Sequence, residues 1–184
     1  NLDDIFVVAS GDALSDVNLG KMLDFHLSGG AEVTMACATV KDPRLYGVVR
    51  ADEDGTVNGF IEKPVTAEYG NLVNAGIYIM NKSVLSQVPN DVKFDFSRDL
   101  FPSLVSARKI KPFVHDGYWC DIGDKTSYYR ANFFMKDGGF YPRVPSFSAE
   151  RYSSRFSRDN LVSKSAVTVG YAANSIIGEN ARIA

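Results

Sequence analysis

Two aspartates of this chain stand at strand ends with a glycine close by. Asp12 closes the run Val7-Val8-Ala9-Ser10-Gly11-Asp12, and Asp121 lies within Gly117-Tyr118-Trp119-Cys120-Asp121-Ile122-Gly123-Asp124. A carboxylate presented at the end of a buried strand, beside a glycine that lets backbone approach a ligand, suits a hard cation bound to phosphate. The two are 109 residues apart (121 − 12), so only a chain that folds back on itself can unite them on one Mg²⁺. Asp121 is the stronger candidate. Flanked by bulky aromatics it needs a partner, because an unpaired buried carboxylate is costly; a cation, a backbone amide or an arginine would each serve. Asp12 is equally compatible with an ordinary cap of a βα turn.

Other groups offer chemistry only in company. Glu62-Lys63-Pro64 places opposite charges side by side, and on a strand neighbours point to opposite faces. One of them would then face a cleft and the other solvent or a neighbouring loop. Lys63 would act as a point charge on a phosphate and Glu62 as an acceptor for sugar hydroxyls, although a surface pair is the plainer assignment. Gly47, and Asn74 with Gly76, put small residues and an amide where ligand edges could meet backbone; Asn74 can both donate and accept. Arg98, Arg108, Lys109 and Lys111 read as solvated faces. His26 and His115 have no Ser, Cys or Asp at a spacing that suggests a nucleophilic triad, so serine-hydrolase and cysteine-protease chemistry find no support.

The elements that must position these residues follow an α/β rhythm. Asp4 to Ala9 is a short apolar run that predicts a buried strand. Asn18 is placed to cap a helix over Leu19 to Leu27, closed by Gly29-Gly30. Ala31 to Val40 predicts a second strand. Tyr46 to Arg50 and Val57 to Ile61 flank the turn signal Asp52-Glu53-Asp54-Gly55, and Leu72 to Met80 is another apolar strand. A short helix over Asn81 to Val88 is followed by a longer one over Phe96 to Arg108, entered through Ser97 with Pro102 in its first turns. Strands at Ile110 to His115 and Tyr118 to Ile122 precede a helix from Asp124, its cap, to Lys136. Strand, helix, strand in this order predicts a mostly parallel α/β sheet.

Residues 138–160 carry Gly, Pro, Ser and Arg without period and read as a linker. Beyond it, Val169-Gly170-Tyr171-Ala172-Ala173-Asn174 and Ile177-Gly178-Glu179-Asn180-Ala181-Arg182 share one six-residue pattern. That pattern predicts the start of a parallel β-helix over 161–184, with Val169 and Ile177 in its inward ladder.

Bulk composition narrows the classes. In 184 residues, 45% are hydrophobic, enough for a core in one medium domain or a domain with an appendage. Twenty-two acidic residues against 20 basic ones leave no electrostatic footprint for duplex nucleic acid or an anionic membrane. No run approaches the roughly 18 apolar residues of a membrane-spanning helix, and no signal-peptide pattern opens the chain. Cys37 and Cys120 are too few for a disulfide framework or zinc cluster, so a reduced, cytoplasmic protein is expected. The chain starts almost at once with a strand and stops inside a periodic pattern, which reads as a piece of a longer protein.

As an ordered set, Ser10-Gly11-Asp12, Tyr46-Gly47-Val48-Val49, Phe60-Ile61-Glu62-Lys63-Pro64, Asn74-Ala75-Gly76-Ile77-Tyr78 and Tyr118-Trp119-Cys120-Asp121-Ile122-Gly123 resemble the sugar-nucleotide pyrophosphorylases. Phe94-Asp95-Phe96-Ser97-Arg98-Asp99-Leu100-Phe101-Pro102 strengthens the likeness to their mannose-1-phosphate guanylyltransferase branch. It spans about residues 4–137, and the hexads resemble the left-handed β-helix that often follows there. The resemblance implies a partial Rossmann-like (GT-A-like) nucleotidyltransferase domain with a mixed sheet over 1–137. It implies transfer from an NTP, GTP in this branch, to a sugar 1-phosphate, mannose 1-phosphate, giving NDP-sugar and pyrophosphate. Carried over by residue, Asp12 and Asp121 would hold Mg²⁺ and Lys63 the sugar phosphate, while Glu62, Gly47 and Asn74, with Gly76 beside them, would meet the sugar. A homo-oligomer is implied for the full-length protein. The family's G-x-G-T-R loop, which cradles the triphosphate, is not in this chain, so the sugar half of the site is expected here and the chain alone is expected to be inactive. A catalytically silent regulatory or assembly subunit of the same family is the alternative. A glycosyltransferase with a D-x-D metal site fits less well, since Asp12 and Asp16 are four apart.

Overall fold

The structure, a computed structural model, describes residues 2–136, 152–153, 160–169 and 172–183. The chain forms two compact units, residues 1–127 and 128–184. Most of the expected linker, 138–151 and 154–159, lies outside the described residues.

The first unit is built on a mixed six-stranded sheet. Its strands are β1 (Ile5–Ala9), β3 (Val33–Thr39), β4 (Gly47–Ala51), β5 (Val57–Glu62), β6 (Leu72–Asn81) and β7 (Ile110–His115). They run in the order β5-β4-β6-β3-β7, and β1 pairs with β6 on the edge that β6 also shares with β4. Only β3 and β7 pair in parallel; the other ladders are antiparallel. The sheet is therefore mixed, as the family resemblance implies, and not mostly parallel as the strand–helix rhythm alone suggests, because β4 and β5 are joined by a tight turn, which only antiparallel strands can use. A separate two-stranded ribbon pairs β2 (Ala13–Ser15) with β8 (Trp119–Asp121).

Apolar residues cover both faces. From β3, Val33, Met35 and Cys37 pack with Tyr78, Met80, Phe101, Leu104 and Ile110 on one side. Ala36 packs on the other with Met22, Ala75, Ile77 and Ile79. A strand buried on both faces reads as a nearly continuous apolar run, as β3 does apart from Thr34 within it and Thr39 at its end. Helix α1 (Leu19–Gly29) lays Met22 on the second face; the Asn18 side chain accepts from the Lys21 amide at 3.0 Å, and Gly30 ends the helix with φ 66°. His26, one turn on from Met22, is buried between Thr34 Oγ1 (2.9 Å) and Asn81 Oδ1 (3.2 Å).

The helix expected over Phe96–Arg108 divides in two. A π-helical turn spans Phe96–Leu100, capped by Asp95, whose carboxylate accepts from the Ser97 and Arg98 amides, and α2 begins only at Phe101 (Phe101–Ser106). Pro102 accounts for the break, because its ring crowds the carbonyl four residues earlier and a wider turn relieves the contact. Arg108, expected to be solvated, forks between Asp52 (2.6 Å) and Asp54 (2.7 Å) and ties the end of α2 to the β4–β5 turn. The next helix, α3 (Lys125–Lys136), starts where predicted, with the Asp124 carboxylate accepting from the Ser127 amide at 2.7 Å.

In the second unit, β10 (Leu161–Ser163) pairs with β9 (Tyr152–Ser153) in antiparallel and with β12 (Ile176–Ile177) in parallel; β11 (Val167–Thr168) pairs with β13 (Arg182–Ile183) in parallel. Both parallel pairs join residues 15 apart (176 − 161 and 182 − 167). Ile177 is buried, as expected of an inward position, but Val169 is 85% exposed. The expected ladder is corrected there: Val167 and Val169, two apart on extended chain, share an outward face.

One irregularity of the sheet governs the rest. Between Met35 and Cys37 on β3 lies one residue, whereas the matching stretch of β6, from Tyr78 to Asn74, holds Ala75, Gly76 and Ile77. The resulting bulge turns on Gly76, whose φ is 73° and whose site would put a Cβ 2.8 Å from Ser10 Oγ. Gly76→Ala meets both obstacles and should destabilise the protein by roughly 1–3 kcal/mol, read as a lower midpoint in urea unfolding. An unchanged midpoint would show that the bulge relaxes without cost.

Candidate active site

The bulge is a junction. The Gly76 carbonyl accepts from the Ser10 amide at 2.8 Å, at the end of β1. The Ala75 carbonyl accepts from Trp119 Nε1 at 2.8 Å, on β8. The Asn74 side chain folds over it, accepting from the Gly76 amide (3.0 Å) and donating to the Tyr78 hydroxyl (2.8 Å). Beside this junction opens a cleft of about 200 Å³, lined by Gly47, Glu62, Lys63, Asn74, Gly76 and Asp121 together with Tyr46, Ser97 and Trp119. Six of the seven residues singled out in the sequence therefore share one concavity. The seventh, Asp12, is not among its lining residues.

Glu62 and Lys63 both line the cleft, against the expectation that neighbours on a strand diverge. Strand β5 ends at Glu62, and Lys63 takes a left-handed φ of 45°, which breaks the alternation. Its amide donates to the Tyr46 carbonyl at 3.1 Å. A non-glycine residue held in this region costs on the order of 1 kcal/mol or more, so the surrounding structure enforces the bend. Gly47 pairs with Glu62 across the β4–β5 ladder. A Cβ at Gly47 would stand 2.5 Å from Phe60 Cζ and 2.9 Å from Glu62 Oε2, so the carboxylate lies over bare backbone that only glycine provides.

The ribbon carries the two aspartates. Asp121 is paired with Ala13, and the Ile122 amide donates to the Asp12 carbonyl at 2.9 Å. Burial, then the Asp12 carboxylate, raise the Asp121 carboxyl above the usual aspartate range, while the Lys63 ammonium pulls it down. Asp12 and Asp121 are the residues here that could hold a divalent ion. Two hard oxygens supply part of an octahedral shell, and water or phosphate completes such shells. Among the described residues no group of three or more His, Cys, Asp or Glu side chains is arranged to hold a metal by itself.

Three aromatics, Tyr46, Tyr78 and Trp119, line the cleft. Tyr46 meets Trp119 edge to face at 5.1 Å, and burial followed by the nearby Asp121 charge raises its phenol. Tyr78, pushed up to about 12 chiefly by burial, stays protonated. Ser97 reaches the cleft from the π-helical turn, and the signal for that turn was Asp95, two residues before it. His115 finds a partner that no sequence spacing suggests: Asp16, 99 residues away, lies 2.8 Å from its Nε2. Cys37 and Cys120 are free thiols, and burial pushes Cys37 far up, leaving it inert. No helix among the described residues is long and apolar enough to cross a membrane.

Known proteins resemble this chain in sequence and fold. The chain is 31% identical over 186 residues to the mannose-1-phosphate guanylyltransferase of Mycobacterium tuberculosis, covering 98% of this chain and 49% of that protein. It is 37% identical over 133 residues to a putative mannose-1-phosphate guanyltransferase of Sulfolobus acidocaldarius, covering 72% and 36%. The crystal structure of HddC from Yersinia pseudotuberculosis complexed with GMP-PN superposes with a TM-score of 0.57 at 30% identity, over 70% of this chain and 54% of that one. The chain thus spans about half or less of the length of the curated relatives it matches. The family model described as nucleotidyl transferase matches residues 1–138, and with relatives of these names beside it, the chain belongs to the nucleotidyl transferase family.

Proposed function

We propose that the cleft binds a sugar 1-phosphate for nucleotidyl transfer: a phosphate oxygen of mannose 1-phosphate attacks the α-phosphorus of GTP, and pyrophosphate leaves as GDP-mannose forms. One observation carries this reading, the convergence of Lys63, Glu62, Asn74 and Asp121 on a single cleft, with Lys63 bent into it at a cost in backbone strain. The sugar and the base follow the names of the relatives, two of which are guanylyltransferases acting on mannose 1-phosphate.

In this reading the Lys63 ammonium meets the sugar phosphate as a point charge. Glu62, poised over Gly47, accepts from sugar hydroxyls, and the Asn74 amide, fixed by Gly76 and Tyr78, presents its remaining hydrogen and lone pair. Trp119 and Tyr46 wall the cleft. Asp121, with Asp12 beside it, would hold Mg²⁺, whose chemistry there is charge neutralisation on phosphate oxygens. Holding the attacking oxygen in line is the larger part of such catalysis. The residues at hand serve the sugar phosphate; a G-x-G-T-R triphosphate cradle is not among them.

A pyrophosphate-release assay with GTP and mannose 1-phosphate tests the reading, run on the 184-residue chain and on the chain joined to a relative's G-x-G-T-R segment. Turnover is expected only from the second. There Asp121→Asn should lower kcat by at least 100-fold, since it removes a charged ligand and keeps the shape. Lys63→Ala should act mainly through a raised KM for the sugar phosphate. Mannose 1-phosphate giving no more product than other sugar phosphates would overturn the sugar assignment.

Electrostatics give a second check. Carboxyl NMR titration should place the Asp121 midpoint above an ordinary aspartate, lower in Asp12→Asn and higher in Lys63→Ala, the signs that follow from removing a like and an opposite charge. Because a metal binds only the deprotonated group, Mn²⁺ affinity should begin to fall, as pH is lowered, before a solvated aspartate would protonate. Matching midpoints in all three proteins would separate the two aspartates and end the shared-cation assignment.

A further inference from the structure

The β2–β8 ribbon that carries both aspartates has only three residues on each strand, too few to hold a register unaided. One end is closed by the bond from the Ile122 amide to the Asp12 carbonyl (2.9 Å), and the other by that from the Asp16 amide to the Tyr118 carbonyl (3.2 Å). Just past the second end sits His115. Its Nε2 lies 2.8 Å from Asp16 Oδ1 and 3.2 Å from the Tyr118 carbonyl oxygen. Both partners are acceptors, so Nε2 carries the proton and donates to the two together. One partner belongs to the β2 side of the ribbon and the other to the β8 side. His115 is itself the last residue of β7, registered with Ala38 of β3. A continuous line of support therefore runs from the core sheet through one imidazole into the ribbon.

Gly117 completes the device. A Cβ there would lie 2.6 Å from His115 Cε1 and 2.8 Å from Nε2, and would collide with the Asp16 carboxylate. The pair can close against the backbone only because residue 117 has no side chain. His115 is not among the residues lining the cleft, so a direct part in the chemistry is not its role.

We infer that His115 is a positioning residue: through Asp16 and Tyr118 it fixes the register of the β2–β8 ribbon, and so the spacing of Asp12 and Asp121 at the ribbon's other end. The clamp stands on its own geometry; its consequence for a shared cation rests on the reading of the site given above.

The test uses the 184-residue chain with His115→Ala, His115→Gln, which returns a donor near the Nε2 position, and Gly117→Ala, which wedges the pair apart while removing no hydrogen-bonding group. Amide exchange followed by NMR is the readout that a merely stabilising role would not move selectively. In His115→Ala and Gly117→Ala the Asp16 and Ile122 amides should exchange at least tenfold faster, with the β3 and β6 amides unchanged. His115→Gln should restore protection. The emission of Trp119, the only tryptophan in the chain, should shift in the same two variants, and Mn²⁺, used as the probe cation, should bind about tenfold more weakly. Unchanged exchange at Asp16 and Ile122 in His115→Ala overturns the clamp, as does equal acceleration across the whole sheet. Selective loss of ribbon protection in a chain that takes up no Mn²⁺ even as wild type supports the clamp and refutes the shared-cation reading.

Discussion

Everything in the cleft hangs on the bulge in β6. The bulge interrupts the ladder between β3 and β6 at Ala75, Gly76 and Ile77. There the Gly76 carbonyl accepts from the Ser10 amide, continuing the β1–β6 ladder by one residue, and the Ala75 carbonyl is left to accept from the Trp119 indole. The second bond ties β8 to the sheet beside Asn74. Bulges re-aim side chains and end pairing next to functional sites, and here a single one gathers segments from residues 10, 74 and 119. The Asn74 amide folds over the same turn, so the group best able to read hydroxyls is also a brace of the backbone that presents it.

The electrostatics are opposed by design of the fold rather than cancelled. Asp121 is partly buried near a like charge, and Lys63 offsets this only in part. A carboxylate so placed is uncomfortable alone and comfortable with a cation, whereas Lys63 gains most from an anion. Under the proposed function, these neighbouring groups of opposite sign would meet a phosphate and its counter-cation. The strained φ of Lys63 is the backbone's share of the same arrangement. Strain persists where surrounding contacts over-determine it, and the Lys63 amide is held by the Tyr46 carbonyl.

Much of this was legible in the residues, for identifiable reasons. β1, α1 and β3 announced themselves because apolar periodicity and caps are local signals: Asn18 and Gly30 bound α1 as their types foretell. The cleft residues were legible as an ordered set of motifs. What escaped was non-local. The three residues of β2 carry no period, and their partner lies over a hundred residues on. Glu62 and Lys63 were expected to diverge because alternation assumes strand geometry, which ends between them. The Asp16–His115 pair has no spacing rule to betray it. Val169 fitted the hexad pattern yet faces outward, since two hexads fix a period but leave its phase to the pairing of the rungs.

The short ribbon also says something about the order in which the molecule assembles. Pairing Ala13 with Asp121 closes a loop of 108 residues (121 − 13) for three residues of ladder, a poor exchange of chain entropy for contacts. The ribbon can close cheaply only after β1 and β7, which lead into its two strands, have docked through β6 and β3. Loop-closure entropy alone thus favours the large sheet as template and the ribbon as a later addition. The same hierarchy runs in reverse: segments last to form with few buried contacts are first to open. By that argument the Asp121 side of the cleft opens before the side that Gly47, Glu62, Asn74 and Gly76 build on the large sheet.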